Sequence, residues 1–99
     1  MIRITADMDN IPFSVAKSRT LAVIDYIYKY HKIIIDRKTV RRSSGGKGCH
    51  AILWTNDYLT NWDVFYIRFL LGDDIRRIKK DMKRRRPKQY LFKKKIKIR

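Results

Sequence analysis

The sequence predicts a single α+β domain that spans residues 1–99. At the start of the chain Ile2, Ile4 and Ala6 alternate with polar residues, which is the two-residue period of a half-buried strand. Longer stretches further on repeat apolar residues at helical spacing. A glycine-rich segment, residues 43–48, separates two predicted strands and favours a hairpin. A chain of 99 residues is long enough for one modest core.

The first half of the chain contains three predicted strands and one helix. The first strand ends at Asp7, and the helix is expected to run to about His31 with Ser14 or Ser18 as its N-cap. The three isoleucines at 33–35 are β-branched and too short a run for a helix. They predict a strand that continues to Arg42, followed after the glycine-rich turn by a strand over residues 49–54.

The second half begins with a clear helix signal. Thr60 with Asp63 three residues later forms a capping-box pattern, and Gly72 provides the matching C-terminal signal. A last helix is expected after it, capped by Asp73 or Asp74, with a buried stripe of Ile75, Ile78 and Met82. Pro87 ends this helix, and residues 90–98 alternate as a final strand.

The resulting order of elements is β-α-β-β-α-α-β. This order resembles the βαββαβ arrangement of ferredoxin-like folds and RNA-recognition-motif folds. The resemblance implies one sheet with helices against it, and the basic helix and strand of residues 74–99 would complete that domain.

The charge distribution is the strongest indication of function. Residues 76–99 hold 14 of the 25 Lys and Arg residues and one acid, Asp81, whereas the whole chain has a net charge of +16. Such an asymmetric field indicates an anionic partner. Nucleic acid, with DNA first, is the leading expectation, and an anionic membrane surface or an acidic protein are the alternatives.

The expected nucleic-acid contacts are basic side chains of the last helix and strand, which would meet phosphates with little sequence readout. They are Arg76, Arg77, Lys79, Lys80, Lys83, Arg84, Arg85, Arg86, Lys93 and Lys95. Exposed aromatic rings could add base stacking, and the candidates are Trp54, Tyr58 and Tyr90.

Several classes of protein are disfavoured. Cys49 is the single cysteine, so an internal disulfide is impossible and a reducing compartment is expected. No stretch approaches the roughly 20 apolar residues of a transmembrane helix. We therefore expect a protein without a transmembrane segment or bound cofactor, and a homodimer is left open.

The glycine-rich segment is a candidate phosphate-binding loop. It reads S-G-G-K-G-C-H from Ser44 to His50. Glycines allow backbone N–H groups to approach an anion, and Lys47 and His50 can supply charge and a hydrogen bond. The spacing and the absence of a following helix exclude a Walker loop.

Asp7 and Asp9 form a D-x-D pair at a strand end, a common arrangement for divalent cations. With the loop, this pair resembles the first two motifs of the archaeo-eukaryotic primase superfamily. The resemblance implies that Asp7 and Asp9 bind metal and that Ser44, Lys47 and His50 contact a triphosphate. The third acidic motif and the zinc-binding element of that superfamily are not identifiable here. A degenerate or minimal nucleotide-binding unit is thus the enzymatic alternative, and no catalytic residue is assigned.

The whole chain also resembles small basic proteins of filamentous or rod-shaped viruses of hyperthermophilic archaea. The matching segments read R-R-S-S-G-G-K-G-C-H and L-G-D-D-I-R-R-I-K-K-D. The resemblance implies a thermostable viral protein in the host-cell cytoplasm, in the context of a DNA genome, and it implies no mechanism. A third class of function, a structural protein that docks onto an acidic partner, stays open.

Overall fold

A computed structural model describes residues 1–83 and confirms the α+β class. Its elements are β1 (Ile2–Met8), α1 (Phe13–His31), β2 (Arg37–Arg42), β3 (Cys49–Thr55), α2 (Asn61–Leu71) and α3 (Ile75–Lys83). These follow the predicted order. The expected end of the last helix at Pro87 and the expected strand over residues 90–98 lie outside the described residues.

The three strands form one antiparallel sheet in the order β1-β3-β2. The pairing Ala6–Ala51 lies in the middle of β1 and β3, and Ala51 in turn pairs with Val40 of β2. Because β3 is antiparallel to both neighbours, β1 and β2 run parallel to each other with β3 between them. This is the split β-α-β arrangement of ferredoxin-like folds.

One face of the sheet is buried against α1 and α2. Ile4 and Leu53 on this face are fully buried, and they pack in one cluster with Ile27 of α1 and with Val64 and Ile67 of α2. The alternating burial along β1 and β3 follows from the two-residue period of a strand. The side chains of the opposite face therefore point away from this core.

Two predicted boundaries are wrong. The first helix begins at Phe13 with Pro12 as its N-cap, so Ser14 and Ser18 lie inside the helix and neither caps it. The second strand begins at Arg37 and not at residue 33. Ile33 and Ile35 instead pack against the core from a connecting segment, which explains their apolar character without a strand.

The second helix has the predicted ends. The Thr60 hydroxyl accepts a hydrogen bond from the Asp63 amide, the Asp63 carboxylate accepts one from the Thr60 amide, and Gly72 closes the helix with a φ of 88°. The next helix, α3, is capped by Asp74, whose carboxylate accepts a hydrogen bond from the Arg76 amide at 2.9 Å. No helix among residues 1–83 is long and apolar enough to cross a membrane.

The expected buried stripe of α3 is only partly correct. Ile78 is buried, but Ile75 and Met82 are 44% and 42% exposed. Polar contacts also hold the helix at both of its ends. The buried Arg68 of α2 pairs with Asp73, just before α3, at 2.7 Å and with Asp81, in the last turn of α3, at 2.8 Å.

Candidate functional site

The sheet face that points away from the core carries nine side chains in three cross-strand rows. We call it the open sheet face. Residues that pair directly across antiparallel strands point to the same side of a sheet. The rows, each read from β1 through β3 to β2, are Arg3–Trp54–Arg37, Thr5–Ile52–Thr39 and Asp7–His50–Arg41.

The electrostatic character of this face is basic around a less polar centre. Arg3, Arg37 and Arg41 are exposed, and Asp7 is the acid among the nine residues. Ile52 and Trp54, on the central strand, are half-buried. The face therefore combines cationic edges with an apolar and aromatic middle.

Trp54 makes the most specific contact on this face. The guanidinium carbon of Arg37 lies 4.4 Å from the centroid of the indole ring. This distance is well within the range of a cation–π interaction. The contact holds a planar cation beside a planar ring at one end of the sheet.

The other end of the open sheet face contains a side-chain contact between β1 and β3. His50 Nε2 lies 3.1 Å from Asp7 Oδ1, as expected for residues that pair directly across β1 and β3. Both side chains remain partly exposed. The structure therefore brings together one predicted metal ligand and one predicted phosphate contact.

The glycine-rich segment folds into a tight turn beside this pair. The Gly46 amide donates to the Ser43 carbonyl at 2.9 Å, and Gly46 has a positive φ of 74°. Gly48 lies so close to β1 that a Cβ there would overlap the Met8 carbonyl oxygen. The absence of a side chain at this position lets the turn approach the end of β1.

This approach creates a cavity of about 370 Å³ between the turn and β1. Asp7, Asp9, Lys47 and His50 all line it. Ser43 lines it as well, whereas the predicted Ser44 is exposed and is not among the lining residues. The D-x-D pair and the basic loop thus converge at one place.

The residues present fit a divalent cation poorly. The two carboxylate oxygens of Asp7 are engaged, one by His50 and the other by Arg77 of α3 at 3.1 Å. The Arg77 charge opposes a second cation at this carboxylate. Within residues 1–83 no group of three or more His, Cys, Asp or Glu residues could hold a metal ion.

Arg77 also joins the basic helix to the open sheet face. Its guanidinium contacts Asp7 and lies 3.0 Å from Asp73. A second cavity, of about 220 Å³, lies between Arg77 and the sheet and shares Asp7 and His50 with the first. The glycine loop and α3 therefore meet at the same corner of the sheet.

The cations of α3 differ in their availability. Arg76, Lys79, Lys80 and Lys83 are exposed, whereas Arg77 is half-buried between two carboxylates. Asp81 is the one acid in the sequence of residues 76–99, but carboxylates from outside this segment contact the arginines of α3. Asp74 contacts Arg76, and Asp7 and Asp73 contact Arg77, because residues before position 76 fold back onto the helix.

The pKa of Asp74 is affected by its position at the N-terminal end of α3. The hydrogen bond from the Arg76 backbone amide lowers the pKa of Asp74, and the charges of Arg76 and Arg77 act in the same direction. The opposing effect of desolvation is smaller than the hydrogen bond.

Sequence reasoning missed Arg3, Arg37 and Arg41. The alternation of residues along β1 and β2 was the one sequence feature that could have indicated them. It shows that these arginines share a sheet face only when the order of the strands is known. The predicted contacts Arg84, Arg85, Arg86, Lys93 and Lys95 lie outside the described residues. We find no match to this chain among protein-family models, curated proteins or solved structures.

Proposed function

We propose that this chain binds nucleic acid through the open sheet face and the exposed cations of α3. The observation that carries the proposal is the set of cross-strand rows that place Arg3 and Arg37 beside Trp54 and Arg41 at the other end of the same face. Arg37 and Arg41 lie four residues apart on one strand, about 13 Å, so they can reach separate phosphates. Arginine is suited to phosphate because its planar fork donates several hydrogen bonds.

The exposed cations of α3 extend the same surface. Arg77 joins this helix to Asp7 at the corner of the sheet, so α3 itself lies beside one corner of the open sheet face. A continuous basic surface gives phosphate contacts and little sequence readout. Charge accumulated on one helix also repels itself, and an anionic ligand relieves that repulsion.

The first experiment is a salt titration of binding to labelled DNA and RNA. If six to eight cations meet phosphates, log K falls against log salt with a slope of roughly −5 to −7. Absence of binding at ~50 mM salt contradicts the proposal. The resemblance to archaeal virus proteins predicts DNA as the partner and the host-cell cytoplasm as the setting, and a homodimer stays a prediction for sedimentation to test.

A second candidate function is nucleotide binding at the cavity between the turn and β1. The convergence of Asp7, Asp9, Lys47 and His50 favours it. Arg77 beside Asp7 argues against a catalytic metal pair but is compatible with a bound phosphate. Calorimetry with a nucleoside triphosphate, with and without Mn²⁺, tests this function. Binding that Lys47→Gln abolishes supports it, and no heat at millimolar nucleotide contradicts it.

A further inference from the structure

We infer that the open sheet face takes single-stranded nucleic acid, with an unpaired base stacked on the Trp54–Arg37 pair. The inference rests on the proposed nucleic-acid binding and specifies its ligand. Both Trp54 and the guanidinium of Arg37 are planar groups on which bases stack. They already lie against each other, with 4.4 Å between the guanidinium carbon and the ring centroid.

The surroundings of Trp54 match the chemistry of a nucleotide. Arg3 and Arg37 pair directly with Trp54 from the two flanking strands, so a cation lies on each side of the ring. The adjacent row, Thr5–Ile52–Thr39, is half-buried and uncharged. An uncharged centre flanked by cations favours a base on the sheet and the sugar-phosphate backbone of the nucleic acid at the sheet edges.

The shape of this face disfavours a duplex. The major groove of DNA admits an α-helix or a two-stranded ribbon. This face has three strands, about 9.6 Å between the outer two before their arginines are counted. In a duplex the base faces are also stacked on one another, so Trp54 would have no ring to contact.

The other tryptophan provides an internal comparison. Trp62 on α2 is 68% exposed and lines a cavity of about 530 Å³ with His31, Tyr58, Asp63 and Tyr66. Among residues 1–83 no Lys or Arg lines this cavity. Exposure alone would favour Trp62 as the stacking residue, whereas charge favours Trp54.

Two variants, each with a single tryptophan, show which of the two tryptophans contacts the nucleic acid. Trp62→Phe leaves Trp54 as the fluorescent reporter, and Trp54→Phe leaves Trp62. The ligand is an oligothymidylate of ~10 nucleotides, within the usual length for a single-strand site, with a duplex of the same length as comparison. A dye on the oligonucleotide measures binding independently by anisotropy. We expect quenching of Trp54 on binding, no change at Trp62, and weaker binding of the duplex.

A third variant, Trp54→Leu, removes the ring. Its affinity for the single strand should fall about tenfold or more, while its affinity for the duplex should stay unchanged, and Trp54→Phe should retain most of the single-strand affinity. Circular dichroism checks that Trp54→Leu folds. If it does not fold, the fluorescence of Trp54 in the Trp62→Phe protein tests the stacking instead. Trp54 fluorescence that is not quenched when the protein is saturated with the oligonucleotide overturns the inference.

Base stacking and phosphate binding give different results in these experiments. Salt-sensitive binding that is equal for duplex and single strand, and that Trp54→Leu leaves unchanged, overturns the stacking and leaves phosphate binding in place. Absence of binding to both ligands overturns both.

Discussion

Arg68 and Asp73 form a buried ion pair in which Nε lies 2.7 Å from Oδ2. Asp73 uses its other oxygen to accept hydrogen bonds from the Asp7 amide at 2.9 Å and from Arg77 at 3.0 Å. One carboxylate therefore ties the bend between α2 and α3 to the outer edge of β1. This contact places the basic helix at the corner where Asp7 and His50 meet.

Replacement of Arg68 by methionine should destabilise the protein by roughly 3 kcal/mol. The substitution leaves the fully buried Asp73 carboxylate without its main partner, and loss of one member of a buried pair is far costlier than loss of an exposed pair. Urea unfolding followed by circular dichroism measures the change. Arg76→Met is the control, because the Arg76 side chain is 89% exposed and its loss should cost little. Equal effects of the two substitutions would contradict the anchoring role of Arg68.

The close approach of the glycine turn to β1 predicts different costs at two glycines. Gly48→Ala should destabilise the protein by about 1–3 kcal/mol, since the new methyl group would overlap the Met8 carbonyl oxygen and force the turn away. Gly45→Ala has open space around the new methyl group and should be nearly neutral. Thermal unfolding of both variants tests this. A neutral Gly48→Ala would show that the turn does not need its position against β1.

The hydroxyl groups of Tyr26 and Tyr66 lie 3.3 Å apart and predict an effect at alkaline pH. The hydrogen bond with Tyr26 raises the pKa of Tyr66, and burial and the Tyr26 charge add to this effect. Because the folded pKa lies above the unfolded value of about 10, the stabilisation is present below that value and is lost as pH rises through the folded pKa.

NMR of ring-labelled tyrosine measures this pKa directly. Tyr26→Phe should lower the pKa of Tyr66 towards its ordinary value, whereas Tyr30→Phe, which changes a ring packed on Tyr26 at 4.8 Å, should leave it raised. A pKa of Tyr66 that does not respond to Tyr26→Phe would show that the hydrogen bond is not its cause.

Local signals in the sequence predict the parts of this fold that local chemistry determines. Thr60 with Asp63 marks the start of α2 and Gly72 its end, because capping groups act within a few residues. The isoleucines at 33–35 mislead for the opposite reason. Their β-branched side chains suit a strand, yet Ile33 and Ile35 contact the core from a connecting segment, which only the tertiary structure reveals.

The candidate site depends on relationships that the sequence does not display. Asp7 and His50 were predicted as parts of one nucleotide-binding unit, but their direct contact follows from the register of β1 against β3. Arg3, Arg37 and Trp54 become one surface only because β3 lies between β1 and β2. The concentration of basic residues near the end of the chain indicates α3 as a binding element, whereas Arg3 and Arg37 are far apart in the sequence and form no such cluster.

A matched pair of double variants on β2 tests the central proposal most directly. Arg37→Gln with Arg41→Gln removes two cations from the open sheet face, and Lys38→Gln with Arg42→Gln removes two from the opposite side of the same strand. The measurement is the salt dependence of binding to an oligothymidylate. We predict that the first pair weakens binding and reduces the slope by about 1.4, the single-strand value for two phosphate contacts, while the second pair leaves both nearly unchanged. Equal effects of the two pairs would show that total charge, and not the open sheet face, determines binding.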